Sequence, residues 1–263
     1  MKRNVLLLML VSLFATQLHA GIVILNGLTH IYRTEKGNVY RGMIEVQNTS
    51  TGPQTVKIYL QDLSYKHDGN IYYSPPSTNP KSNAGWIKIN SNLLNLKDRE
   101  KAEIHYEITV PDSINTEGSY WSTIIVEPVD EIIPNKNTSG LQISSIVRYA
   151  VQLITNYSAD GLKPKLVFEK IDLDGSGAYP RLMVALANEG PIYCRPTVSI
   201  ELYDTKSGKK IAHISSQAMG LLPNTSKTYP ILVEGAPPGR YRAVLYAADQ
   251  DHNVFSVQAE LEI

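Results

Sequence analysis

The sequence predicts an all-β protein built from two tandem β-sandwich domains. Apolar and polar residues alternate with a period of two over many short segments, and no segment shows the period of a long helix. Turn-forming clusters such as NTSTGP, HDGN and SPPSTNP separate these segments. The 263 residues are enough for two domains of common size.

The clearest predicted strand is Ala102–Val110, where apolar side chains fall on one face and Glu103, His105 and Glu107 on the other. The C-terminal segment Ser256–Ile263 alternates in the same way. Further strands are predicted at Ile22–Leu25, Tyr40–Gln47, Val56–Leu60, Trp86–Ile89, Tyr120–Glu127, Ile143–Ile154, Leu166–Leu173, Leu182–Ala187, Val198–Leu202, Tyr229–Val233 and Arg240–Ala247.

The N-terminus has the pattern of a cleavable signal peptide over residues 1–20. A short basic stretch precedes the apolar run Val5–Ala15, and Leu18-His19-Ala20 resembles a cleavage site. The apolar run is shorter than the roughly 20 residues that span a bilayer. We therefore expect a periplasmic or secreted protein that is not membrane-spanning.

The best domain boundary is the segment NYSADGLKP, residues 156–164, because it lacks alternation and carries Gly161 and Pro164. This predicts an N-terminal domain at 21–156, a linker at 157–163 and a C-terminal domain at 164–263.

The same phrase occurs once in each predicted domain, as GSYWSTIIVEP from Gly118 and as GRYRAVLYAAD from Gly239. In immunoglobulin-like sandwiches, a tyrosine near the start of the sixth strand bonds its hydroxyl to backbone upstream of it. Tyr120 and Tyr241 fit this role, so the sequence predicts two immunoglobulin-like domains.

Composition and motifs argue against several functions. Lys plus Arg and Asp plus Glu are 25 each, which disfavours nucleic acid as the partner. The single cysteine, Cys194, is expected to be a buried filler, and the histidines are scattered without ligand spacing. IDLDGSGAYP lacks the acidic twelfth residue of a calcium loop. We therefore expect no catalytic residue, metal or cofactor.

Tyrosine is abundant, with 16 residues against 3 phenylalanines, which suggests aromatic side chains at the surface. One group surrounds the segment DLSYKHDGNIYYSPP and is a candidate glycan-binding surface: Tyr59, Tyr65, Tyr72, Tyr73 and Trp86. The alternative is that these side chains pack against their own domain.

The predicted strand Ile143–Ile154 is unusually long and is apolar on both faces. Such a strand is either central and buried on both sides, or an edge that pairs with a strand of a partner. If it is an edge, the candidate partner-binding residues are Ile143, Ile146, Val147, Arg148, Tyr149 and Val151.

Nearly the whole mature chain resembles the WxL-interacting proteins of Gram-positive cell surfaces. The resemblance rests on segments such as LNLKDREKAEIHYEITVPDSINTEGSYWSTIIV, SIVRYAVQLI and LKPKLVFEKIDLDG, and later LLPNTSKTYPILVEGAPPGRYRAVLYA. It implies a first domain that binds peptidoglycan and a second that binds a host or matrix protein.

The order of domains also resembles the periplasmic chaperones of pilus assembly. That resemblance implies that the strand at the end of the first domain, Ile143–Ile154, is donated to a subunit. It further implies a basic pair that anchors the subunit's carboxylate, with Arg148 and either Arg33 or Arg41 as candidates.

The sequence thus favours a non-enzymatic exported binding protein, a chaperone or adaptor that holds surface-protein subunits by β-strand addition. The alternative is a surface protein that binds peptidoglycan or another glycan of the cell wall.

Overall fold

The computed structural model describes residues 21–129 and 146–263. The predicted signal peptide, residues 1–20, and Ile143 of the candidate partner-binding strand lie outside the described residues. Seventeen strands make up the described part of the chain, and its only helix is one 3-10 turn at Ala84–Trp86. The predicted fold class, two immunoglobulin-like β-sandwiches, is confirmed.

The first sandwich uses the strands within Ile22–Tyr157. One sheet has the order β1-β3-β8-β6, and the other has the order β2-β10-β9-β4-β5, with β7 also paired to β4. The strands are β1 Ile22–Ile24, β2 Thr29–Thr34, β3 Val39–Asn48, β4 Gln54–Tyr65, β5 Ile71–Ser74, β6 Ile87–Ile89, β7 Leu93–Leu96, β8 Lys101–Thr109, β9 Gly118–Pro128 and β10 Tyr149–Tyr157.

The second sandwich uses the strands within Leu166–Glu262. Its sheets have the orders β11-β12-β15 and β14-β13-β16-β17. The strands are β11 Leu166–Asp174, β12 Arg181–Asn188, β13 Thr197–Asp204, β14 Lys210–Ser215, β15 Thr225–Leu232, β16 Arg240–Ala248 and β17 Val254–Glu262.

Each sandwich closes over alternating apolar side chains from its two sheets. In the first, Ile44 and Ile104 of one sheet meet Ile58 and Ile124 of the other, and all four are buried. The predicted alternation of Ala102–Val110 is therefore confirmed, since its apolar face joins this core. Period-two patterns place these side chains between the sheets because successive residues of a strand face opposite sides.

Both predicted tyrosine corners are present. The Tyr120 hydroxyl donates a hydrogen bond to the carbonyl oxygen of Thr116 at 2.7 Å, and the Tyr241 hydroxyl donates to that of Pro237. The repeated Gly-x-Tyr phrase is therefore one structural device used once in each sandwich.

The two sandwiches meet through side chains on the outer face of the β10-β9-β4 sheet. Leu63, Tyr65, Trp121 and Ile154 are buried in the same apolar cluster as the core of the second sandwich. Near Trp121, the Ser119 N–H donates to the carbonyl of Pro191 at 2.9 Å. The junction is thus a packed, hydrogen-bonded contact.

Candidate functional site

Strand β10 is paired on both sides over only part of its length. It runs antiparallel to β9 over Tyr149–Tyr157, but β2 joins its other side, in parallel, only from Gln152 to Tyr157. The strand is therefore an edge strand at its start and a central strand over the rest of its length. The last six residues are central, and Tyr149–Val151 has one side without a strand among the described residues. We call this side the open edge.

The predicted strand bounds Ile143–Ile154 need correction at both ends. The strand begins at Tyr149 and continues to Tyr157, and residues 146–148 precede it without strand pairing in the part of the chain that the structure describes. The prediction began too early because the apolar run starts before the strand does. It ended too early because Thr155–Tyr157 is polar in sequence, although these residues pair with β2.

At the open edge, the backbone N–H and C=O of Ala150 point away from β9. The Gln152 N–H donates to the carbonyl of Leu28 at 2.9 Å, so even-numbered residues of β10 point their polar groups toward β2. Because this direction alternates along a strand, the N–H and C=O of Ala150 point the same way, beyond the first residue of β2. They lie where a further strand would pair.

Side chains at the open edge divide into buried and exposed groups. Val151 is fully buried between the sheets and Tyr149 packs against the same core. Ile146 is 47% exposed and Val147 61% exposed. Of the predicted partner-binding residues, Ile146 and Val147 are therefore accessible, whereas Val151 supports the fold.

Arg148 lies in a small polar cluster on the outer face of the sheet. Its guanidinium carbon is 5.1 Å from the centre of the Tyr73 ring, and the Tyr59 hydroxyl donates to Glu127 at 2.7 Å. Burial, followed by the hydrogen bond to Glu127, raises the pKa of Tyr59 above its usual value, while Arg148 opposes the shift. The structure thus joins one predicted strand residue to two predicted glycan-surface residues.

The three predicted anchor arginines are not brought together. Arg33 lies 3.8 Å from Asp160, and Arg41 lies 2.8 Å from Glu107 on the other sheet. Arg33 is opposite Asn156, eight residues along β10 from Arg148, which corresponds to about 26 Å. The structure does not place a basic pair at these positions, and a role for Arg148 alone stays a prediction.

The five aromatic residues predicted as one surface are spread over several environments. Tyr72 is exposed, on the opposite face of β5 from Tyr73, and Trp86 is half-buried against the Tyr120 ring at 4.8 Å. Tyr65 is buried in the apolar cluster of the second sandwich, where its hydroxyl accepts the Leu222 N–H at 3.0 Å and donates to the carbonyl of Gly220. Tyr65 therefore lies at the junction between the sandwiches, and a glycan-binding role for the other four residues stays a prediction.

A groove runs between the sandwiches beside the open edge. It consists of two clefts, of about 310 Å³ and about 1030 Å³, that share Gln152 and Lys227. Tyr73 and Ala150 line the smaller cleft. Leu28, Ile31 and Met219 are among the residues of the larger one. We call the two together the interdomain groove.

The second sandwich carries its own polar cluster around Glu201, on the outer face of β13. Its carboxylate accepts hydrogen bonds from Lys210, from the hydroxyl of Tyr203 and from that of Tyr246. The Lys210 ammonium, followed by the Tyr203 hydroxyl, holds the pKa of Glu201 to about 2.

This cluster predicts a pH-dependent difference between the wild type and Glu201→Gln. Because the pKa in the folded chain is below the usual value of about 4.3, the ionised carboxylate stabilises the fold above that pH. The contribution is lost as the pH falls through about 2. Thermal unfolding midpoints should therefore differ at pH 6 and converge toward pH 2. A difference that stays constant over this range would show that the charge is irrelevant.

Among the described residues, no group of three histidines, cysteines or acidic side chains could hold a metal ion. Cys194 is buried, as the sequence predicts, and burial raises the pKa of its thiol to about 12. No helix in the described part of the chain has the length and apolar character needed to cross a membrane.

The fold and the site define a two-domain immunoglobulin-like protein in which, among residues 21–129 and 146–263, part of one strand edge of the first sandwich is unpaired. Residues 138–263, slightly less than half of the chain, match the family described as "WxL Interacting Protein, host binding domain". The predicted resemblance to that family is thus confirmed over this region. No curated protein sequence matches the chain.

Solved structures with similar folds include chaperones of pilus assembly. The class 5 fimbriae chaperone CfaA is 12% identical, with a TM-score of 0.46 over 91% of this chain and 98% of that one. A chain of the CsuC–CsuE chaperone–tip adhesion subunit complex from Acinetobacter baumannii is 17% identical, with a TM-score of 0.45 over 91% and 98%. A chain of the Salmonella enterica SafA pilin–SafB chaperone complex is 14% identical, with a TM-score of 0.44 over 95% and 99%.

Proposed function

We propose that the protein is an exported, non-enzymatic chaperone or adaptor that holds subunits of surface structures by β-strand addition at the open edge. The single observation that supports this most strongly is the incomplete pairing of β10. It pairs with β9 along its whole length but with β2 only from Gln152 onward. The proposal includes the signal peptide at residues 1–20 and a division of the chain into domains at 21–156 and 164–263, with 157–163 as the linker.

Strand addition suits this edge because backbone pairing supplies affinity and accepts segments of many different sequences. Backbone N–H and C=O groups at an unpaired edge bond to any extended segment, while flanking side chains select among segments. Ile146 and Val147 present apolar surface directly before the open edge. We propose that these residues, with Ile143, Arg148 and Tyr149, contact the added strand, and that Val151 supports the strand from inside the core.

The test compares two valines of equal exposure. Val147 is 61% exposed beside the open edge, and Val254 is 62% exposed at the start of β17 in the second sandwich. Each is replaced by glutamate in a tagged full-length chain, and the bound proteins are recovered from the native cell envelope and quantified by mass spectrometry.

Val147→Glu should lower recovery of the bound subunit by about thirtyfold, the effect of losing roughly 2 kcal/mol at an interface. Val254→Glu should leave recovery unchanged. Equal recovery with both variants would remove the open edge from the binding mechanism.

The second candidate function is binding to a cell-wall glycan through the first sandwich. The exposed ring of Tyr72 and the cluster of Tyr59, Tyr73 and Arg148 favour it, since aromatic rings with polar groups suit sugar contacts. Sedimentation with purified peptidoglycan, reduced in a Tyr72→Ala variant, would support this function. Loss of sedimentation in Val147→Glu alone would instead assign the contact to the open edge.

A further inference from the structure

The ammonium group of Lys227 is placed unusually for a surface lysine. Its Nζ donates to the carbonyl of Gly220 at 2.8 Å and lies 4.4 Å from the centre of the Tyr65 ring. Burial lowers the pKa of Lys227. In residues 21–129 and 146–263, no carboxylate lies within ion-pair distance of it. A partly desolvated charge without an opposite charge is unfavourable, and an incoming anion would relieve this.

Lys227 lies where the two clefts of the interdomain groove adjoin. It lines both clefts together with Gln152, the first residue of β10 that pairs with β2. The carboxylates nearest to the two clefts have other partners. Glu169 is 3.1 Å from Nδ1 of His67 in the smaller cleft, and Asp249 in the larger cleft accepts hydrogen bonds from the backbone N–H groups of Asp251 and Asn253. Among the described residues, the Lys227 ammonium therefore has only uncharged partners, the Gly220 carbonyl and the Tyr65 ring, while it borders both clefts of the groove.

We propose that Lys227 forms a subsite for an acidic side chain of the segment that adds to the open edge. The inference rests on the proposed function, because the open edge brings the segment to the groove. A neighbouring strand lies about 4.8 Å away, and every second side chain faces the same side as Ala150 and Gln152. That side is the groove, and the small Ala150 side chain leaves space along it.

The shape of the groove favours a side chain over the end of a chain. The smaller cleft extends from Lys227 toward Tyr73, and the larger cleft extends from it toward Ile31. A segment can therefore continue past Lys227 in both directions. Apolar side chains line part of each cleft, Ile71 and Tyr73 in the smaller and Leu28, Ile31 and Met219 in the larger, which Arg195 and Asp249 also line. The proposed ligand is therefore an extended peptide with one acidic residue at Lys227 and apolar residues along the rest of the groove.

The experiment is selection of random twelve-residue peptides displayed on phage. The targets are the full-length protein, Lys227→Gln and the matched control Lys57→Gln. Lys57 also lies over a tyrosine ring, 5.2 Å from the centre of Tyr59, but it is exposed on β4 outside the groove. Wild type and Lys57→Gln should enrich peptides with Asp or Glu at a fixed position, and Lys227→Gln should lose that enrichment.

Synthetic copies of a selected peptide then test the charge without altering the protein. Exchanging its acidic residue for the amide should weaken binding to the wild type by about ten- to hundredfold, the usual effect of a hydrogen bond to a charged group. The same exchange should have little effect on Lys227→Gln. Amidation of the peptide's C-terminus should leave binding unchanged.

The outcomes separate this inference from the proposed function. The acidic subsite alone is overturned if the selected peptides bind the open edge but show no enrichment of Asp or Glu. It is also overturned if Lys227→Gln enriches acidic residues as strongly as the wild type does. Loss of binding on C-terminal amidation shows that the groove takes a chain end and also overturns it. If every peptide selected on the wild type also binds Val147→Glu, the open edge takes no part in binding. That result would overturn both the proposed function and the acidic subsite.

Discussion

Val151→Asp should unfold the first sandwich, whereas Val147→Asp, four residues earlier, should leave its stability unchanged. Val151 is fully buried among the side chains of both sheets, so an aspartate there places an unpaired carboxylate in the core. We expect a loss of about 5 kcal/mol in the free energy of unfolding, measured by denaturant titration. This is a large part of the stability of an ordinary domain.

The Val147 variant is the control, because its side chain is mostly solvated and precedes the first paired residue. A surface change of this kind should stay within about 0.5 kcal/mol of the wild type. Equal destabilisation by both variants would contradict the assignment of these two residues to different roles. Binding tests at the open edge should therefore use Val147 and avoid Val151.

Gly118→Ala should destabilise the junction between the sandwiches by about 3 kcal/mol. The φ angle of Gly118 is 112°, which other residues rarely adopt, and a Cβ there would lie 2.4 Å from the carbonyl oxygen of Pro191. The backbone would have to move, and the hydrogen bond from Ser119 to Pro191 would be strained. Differential scanning calorimetry measures the loss.

Gly235→Ala is the matched control for this prediction. Gly235 also has a positive φ, of 81°, but a Cβ there would meet nothing within 4 Å. Its replacement should cost about 1 kcal/mol, the strain of the backbone alone. If both variants lose the same stability, the contact with Pro191 contributes nothing.

The architecture was largely predictable from the sequence because it depends on local patterns. Alternation marks the buried face of β8, and the Gly-x-Tyr phrase marks both tyrosine corners. Strand β2 was not predicted, since its inward residues are His30 and Tyr32, which hydrogen-bond to Tyr106, while Ile31 faces outward. Its side chains invert the usual apolar-inside pattern.

The candidate site was less predictable because it depends on which strands become neighbours. The open edge follows from where β2 ends relative to β10, and periodicity carries no information about that register. Lys227 was missed for a related reason. It stands in the unremarkable segment NTSKTYP, and only the approach of Tyr65 from the first sandwich gives it a partly buried setting.

Amide hydrogen exchange at Ala150 tests the central claim most directly. Its N–H points to the open edge, while that of Gln152 is already bonded to Leu28. In the free protein we predict fast exchange at Ala150 and slow exchange at Gln152. In complex with the subunit recovered by capture, Ala150 should become as protected as Gln152. Slow exchange at Ala150 in the free protein, or unchanged fast exchange in the complex, would contradict strand addition.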